Sequence, residues 1–131
     1  MPDGMISLRS QHDAPETARR LRAAAEHAGL TIFADIDHRQ NAVETGLELR
    51  PTRLIIFGNG RGGTPLMLLN QTAGLDLPLK ALVWEDEQGA AWLTYNDPRW
   101  IADRHALGAG AEAAVAALSA GLQKLAAAAT G

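Results

Sequence analysis

The chain has 131 residues, 47% of them hydrophobic and 21% charged, which suits one compact domain burying roughly 65–70% of its unfolded surface. A formal charge of −3 excludes the global basic field that draws proteins to nucleic acid or anionic lipid. There is no cysteine, so disulfides, thiolate nucleophiles and thiolate metal sites are excluded, and a metal could use only His, Asp or Glu.

The predicted elements follow in chain order. "MISLRS", from Met5, alternates apolar and polar residues and reads as a short strand. "DAPETARRLRAAAEHAGL" reads as a helix capped by Asp13, with Pro15 in its first turn, Glu16 at the reciprocal capping position and Gly29 as its stop. "LTIFADID" is a second strand with Ile32, Ala34 and Ile36 expected on one face, and "HRQNAVETGLEL" a short helix closed by Gly46. "PTRLIIFGN" is continuous in its apolar centre and reads as a central strand. A glycine-rich loop and a short helix, "TPLMLLNQT", lead to "LPLKALVWEDEQGAAWLTYND", a hairpin turning at Glu87-Gln88-Gly89. "PRWIADRHAL" opens a helix at Pro98 behind the cap Asp97. The chain closes on an alanine-rich helix with Val115, Leu118, Leu122 and Leu125 on one stripe. No repeat or linker interrupts residues 1–131. The expected fold is therefore a single α+β domain, a mainly antiparallel sheet with the long helices packed on one face. No secretory leader is visible and no apolar run approaches the roughly 18 residues of a membrane span, so the expectation is a cytoplasmic protein with neither membrane nor nucleic acid as partner.

"IIFGNGRGGTPLM" is the stretch richest in possible chemistry. Gly58, Gly60 and Gly63 satisfy the dinucleotide pattern G-x-G-x-x-G, and Glu85 lies about 20 residues on, where a ribose-binding acid would sit. The helix that follows is too short for that fold, however, and no second βαβ half exists. A phosphate loop fails because Thr64 stands where its lysine belongs. The plainer expectation is an exposed turn with left-handed glycines, Thr64 capping a helix begun by Pro65. The alternative is a small-ligand contact at the loop's backbone amides.

Several motifs occur together: Asp37-His38, Gly46-Leu47-Glu48-Leu49-Arg50-Pro51, Phe57-Gly58-Asn59, Gly63-Thr64-Pro65-Leu66-Met67, Leu77-Pro78 and Tyr95-Asn96. From about Phe33 to Leu107 the chain resembles the domain of unknown function 302 family. The resemblance implies a compact α+β fold with an antiparallel sheet, and a homodimer; it implies no reaction. Gly60-Arg61-Gly62 is richer in glycine than that family's usual loop.

None of His12, His27, His38 and His105 forms a local metal-binding pair, and no residue is assigned to catalysis or to a metal. His38 beside Asp37 could act as a base or touch a ligand, while Asp37 could simply cap the next helix. His105 suits the C-terminal end of its helix. Trp84 and Trp92 fall near cross-strand register and suit sheet packing or a dimer seam. No G-x-S-x-G motif supports a serine hydrolase.

The sequence therefore favours a non-enzymatic module, dimeric, binding a small molecule or cofactor of unknown identity. Asp37, His38, Gly58, Asn59, Gly60, Arg61, Gly63 and Thr64 are expected beside its pocket. The alternatives are an enzyme using His38 or His105 as acid or base, and a structural or interaction protein with no ligand.

Overall fold

The computed structural model describes residues 2–131. Five strands, β1 (Met5–Arg9), β2 (Thr31–Asp37), β3 (Thr52–Gly58), β4 (Leu79–Glu85) and β5 (Ala91–Asn96), form one sheet in the order β1-β5-β4-β3-β2. Every neighbouring pair is antiparallel. The helices are α1 (Ala14–His27), α2 (His38–Glu44), α3 (Gly60–Leu69), α4 (Pro98–Arg104) and α5 (Glu112–Thr130). A 3₁₀ turn, Gln71–Leu75, follows α3. The fold is α+β, as expected.

Local chemistry explains most boundaries. Asp13 accepts from the Glu16 amide at 2.9 Å and starts α1; Gly29, with φ +79°, provides the left-handed exit that only glycine adopts freely. Asp37 starts α2 by accepting from the Gln40 amide at 3.0 Å, and Asp97 starts α4 by accepting from the Arg99 amide at 2.9 Å.

Alternation along the strands sends Ile55, Phe57, Ala81, Val83, Leu93 and Tyr95 to one face, where all are buried. Against them pack Ala14, Ala18, Leu21 and Ala25 of α1 and Leu122, Leu125, Ala126 and Ala129 of α5. At roughly 1.5–3 kcal/mol for each fully buried large side chain, this layer is the main source of stability. The predicted α5 stripe is thus confirmed, with Leu118 only half-buried at its edge.

Three expectations need correction. A bulge between Ile32 and Ala34 breaks the alternation of β2. Ile32 pairs with Phe57 on the helix side, while Ala34 and Ile36 pair with Ile56 and Leu54 on the other face. The segment Ala109–Thr130 is long and apolar enough to cross a membrane by length and composition, contrary to the run-length expectation. Alanines rather than large aliphatics supply that length, and the helix packs its leucines on its own sheet. Finally, the glycine-rich segment is not an exposed turn. Gly60 to Gly63 form the first turn of α3, Asn59 caps it, and Pro65 lies inside the helix rather than at its start.

Candidate functional site

The route from β3 into α3 is set by two residues. Gly58 has φ +150°, a conformation that side-chain-bearing residues rarely adopt. Asn59 then turns its side-chain oxygen onto the Gly62 amide at 3.0 Å, replacing a bond that the helix cannot make at its own start. A Cβ at Gly62 would lie 3.1 Å from Leu118 Cδ2, so glycine lets this turn approach α5.

That approach closes one end of a groove of about 970 Å³ between α1, α5 and the α3 entry. Phe57, Leu77, Pro78 and Leu79 line it from the sheet side, and Leu118, Leu122 and Leu125 from α5. Its size lies at the upper end of ligand pockets, which run about 300–1,000 Å³. Gly58, Asn59, Arg61 and Gly63 line it as expected; Gly60 and Thr64 are adjacent in sequence but form no part of the lining. Gly62, which sequence reasoning left out, does line it.

The walls were not foreseen at all. Arg19, Arg20, His27 and Lys124 come from α1 and α5. Arg19 and Arg20 both hold Glu16, at 2.7 and 2.9 Å. The hydrogen bond from Arg19 does most to hold the Glu16 carboxyl down at about 2, with Arg20 assisting against burial.

Asp37 and His38 do not join this groove. Register pairs Thr31 with Gly58 but Asp37 with Arg53, at the opposite end of the two strands. Six residues of strand separate the ends, about 20 Å at 3.3 Å per residue. The expectation of a shared pocket is corrected accordingly. Asp37 lines a separate hollow of about 120 Å³ with Arg39 and Arg53. His38 is exposed in the first turn of α2.

His105 is more constrained than a helix-end cation. It is the residue after α4, only 7% exposed. Nε2 donates to Asp76 Oδ2 at 2.5 Å. Nδ1 lies 2.9 Å from the Thr72 hydroxyl, which donates its own proton to Asn70 Oδ1 at 3.0 Å. The carboxylate of Asp76 also accepts from Arg104 at 2.9 Å, and Asn70 Nδ2 donates to the His105 carbonyl at 3.0 Å. Hydroxyl, imidazole and carboxylate thus form one hydrogen-bonded chain. These side chains line neither groove. What this hydrogen-bonded chain does visibly is tie the 3₁₀ turn to the end of α4. Asp76 escaped sequence reasoning because it lies 29 residues from His105. Among the described residues, no three His, Cys, Asp or Glu side chains converge as metal ligands would.

A family model described as "Domain of unknown function DUF302" matches residues 6–125. The crystal structure of an uncharacterised conserved DUF302 protein from Bacillus stearothermophilus superposes with a TM-score of 0.84 at 17% identity, covering 96% of this chain and 98% of that one. Among sequences, the chain is 48% identical over 118 residues to the fluoride-specific ion channel FluC 1 of Brucella suis biovar 1 (strain 1330), covering 90% of this chain and 46% of that protein. It is equally similar to FluC 2 of Brucella melitensis biotype 1, where the match covers 44% of the relative. The chain therefore spans slightly under half the length of these curated relatives.

Proposed function

This chain belongs to the DUF302 family, a membership that brings a fold but no reaction, and we propose that it is a non-enzymatic module that binds a small ligand and works as a homodimer. One observation carries the reading: a groove of about 970 Å³ lined chiefly by apolar side chains, with Arg19, Arg20, His27, Asn59, Arg61 and Lys124 among the lining residues. Such a composition holds an organic molecule by burial and orients it by a few polar contacts. The hydrogen-bonded chain through His105, by contrast, lines neither this groove nor the smaller hollow at Asp37. Native mass spectrometry of freshly purified protein tests the reading. A dissociable small-molecule mass, reduced in Leu122→Trp, is the expected result. No adduct, and no ligand in a metabolite screen that raises the melting temperature, would overturn it.

A second reading draws on the Brucella relatives named as fluoride channels. In it, the module works beside a channel rather than as one. Its support is that only one helix among the described residues is long and apolar enough to span a membrane, and that helix packs on its own sheet. A fluoride electrode on liposomes containing the chain alone should record no efflux; efflux would sink this reading.

A further inference from the structure

The charge on the groove is not that of the whole chain. The protein carries 15 acidic and 12 basic residues, yet no Asp or Glu lines the groove, whereas Arg19, Arg20, Arg61 and Lys124 do, with His27 beside them. Glu16 occupies Arg19 and Arg20. Arg61, from the start of α3, and Lys124, from α5, make no ion pair among the described residues. Two free cations on separate walls of an apolar groove complement one kind of molecule.

Gly121 adds an independent observation. It lies in the interior of α5, in an alanine-rich run, and glycine is the poorest helix former apart from proline. Elsewhere on this surface glycine has a steric reason, since a Cβ on Gly62 would crowd Leu118. At Gly121 a Cβ would meet nothing within 4 Å. The space it leaves open is groove, because Gly121 is part of the lining.

Resting on the ligand-binding reading above, we infer that the groove takes a free amphipathic anion, a single apolar chain ending in a carboxylate or phosphate. The chain lies over Phe57 and Leu79 between α1 and α5, past Gly121, and the anion meets Arg61 and Lys124. Burial of the chain supplies affinity, and the cations select the head group.

Calorimetric titration with dodecanoate, dodecanol and dodecyltrimethylammonium, below their micellar concentrations, tests this. Dodecanoate is expected to bind saturably, dodecanol about tenfold more weakly, and the cationic amphiphile more weakly still. The double variant Arg61→Gln/Lys124→Gln should lose the preference for dodecanoate while leaving dodecanol unchanged. Gly121→Leu should abolish binding of both with its circular dichroism intact, and Gly121→Ala, which removes less space, should bind with intermediate affinity. Equal affinity for dodecanol and dodecanoate would overturn the anion assignment yet leave the small-ligand reading standing. No binding of any of the three would overturn both. Sedimentation with phosphatidylglycerol vesicles, lost in Gly121→Leu, without binding of free dodecanoate would transfer the groove to membrane lipid and overturn the inference. So would loss of the dimer in Gly121→Leu, which would make the groove's occupant a second copy of the chain.

Discussion

Asp35 sits on β2 facing the helix layer and joins three elements. Its carboxylate accepts from Arg22 of α1 and from Arg53 of β3, each at 2.5 Å, with its side chain 12% exposed. Burial alone pushes its pKa upward, but the hydrogen bonds and charges of Arg53 and Arg22 together outweigh it, and the net direction is down. The sign of the pH effect follows. A carboxyl whose folded value lies below its unfolded one stabilises the fold above the unfolded value of about 3.9, and that contribution vanishes as pH falls through the folded value. Urea midpoints measured from pH 7 down to pH 2 should therefore fall in the wild type and fall less steeply in Asp35→Asn. Parallel curves would show that the bridge carries no linkage. Asp76 supports a different expectation, because removing it strands a buried imidazole beside Arg104. Asp76→Ala should cost about 1–3 kcal/mol in urea unfolding, and His105→Ala in that background should cost little more, since the two share one network.

At the scale of elements, α3 shows how a poor helical sequence becomes a helix. Three of its first four residues are glycine, which carries the largest helical penalty of any residue but proline. Asn59 offsets part of that by capping, and contact with α5 at Leu118 favours the missing side chains. Asn59→Ala should then destabilise the protein by about 0.5–2 kcal/mol, read as a lower urea midpoint with an unchanged slope. Gly121→Ala should do the reverse, raising stability by roughly 0.5–1 kcal/mol, since the added methyl meets nothing. A destabilised Gly121→Ala would show that the open space is illusory. These cases mark what the sequence disclosed. Caps at Asp13, Asp37 and Asp97 were legible because a cap is a local hydrogen bond over two or three residues. The bulge at Ile32–Ala34 and the helical state of Gly60–Gly63 were not, because both depend on partners outside the segment. The candidate site divides in the same way: Gly58, Asn59, Arg61 and Gly63 follow one strand and were found, while Lys124 and Arg19 reach the groove only after α1 and α5 have packed.

For the whole molecule, the sheet has two unequal faces. One lies under α1 and α5; the other presents Leu54, Leu82, Trp84 and Trp92, all only half-buried. Trp84 and Trp92 are direct cross-strand partners with rings stacked 6.1 Å apart, so this face offers a rigid aromatic surface that needs little ordering on association. Its two ends differ in charge. Lys80 pairs with Ile56 on this face at one end, and at the other Asp86 accepts from the Trp92 indole nitrogen at 2.8 Å. A two-fold axis in the plane of the sheet and perpendicular to its strands would lay Lys80 of one copy on Asp86 of the other and bury the tryptophans between them. The proposed homodimer is best placed there, on the side of the sheet away from the groove between α1 and α5. Leu82→Glu puts an unpaired carboxylate at the centre of that seam, where its desolvation is uncompensated. Sedimentation velocity should then show the wild type as a dimer and Leu82→Glu as a monomer with native circular dichroism. Lys80→Glu, which sets a carboxylate against Asp86 of the other copy, should weaken the dimer in the same measurement. If Leu82→Glu remains a dimer, the seam lies on another surface. If its dodecanoate binding is also lost, groove and seam are coupled, and the separation of binding and assembly onto opposite faces fails.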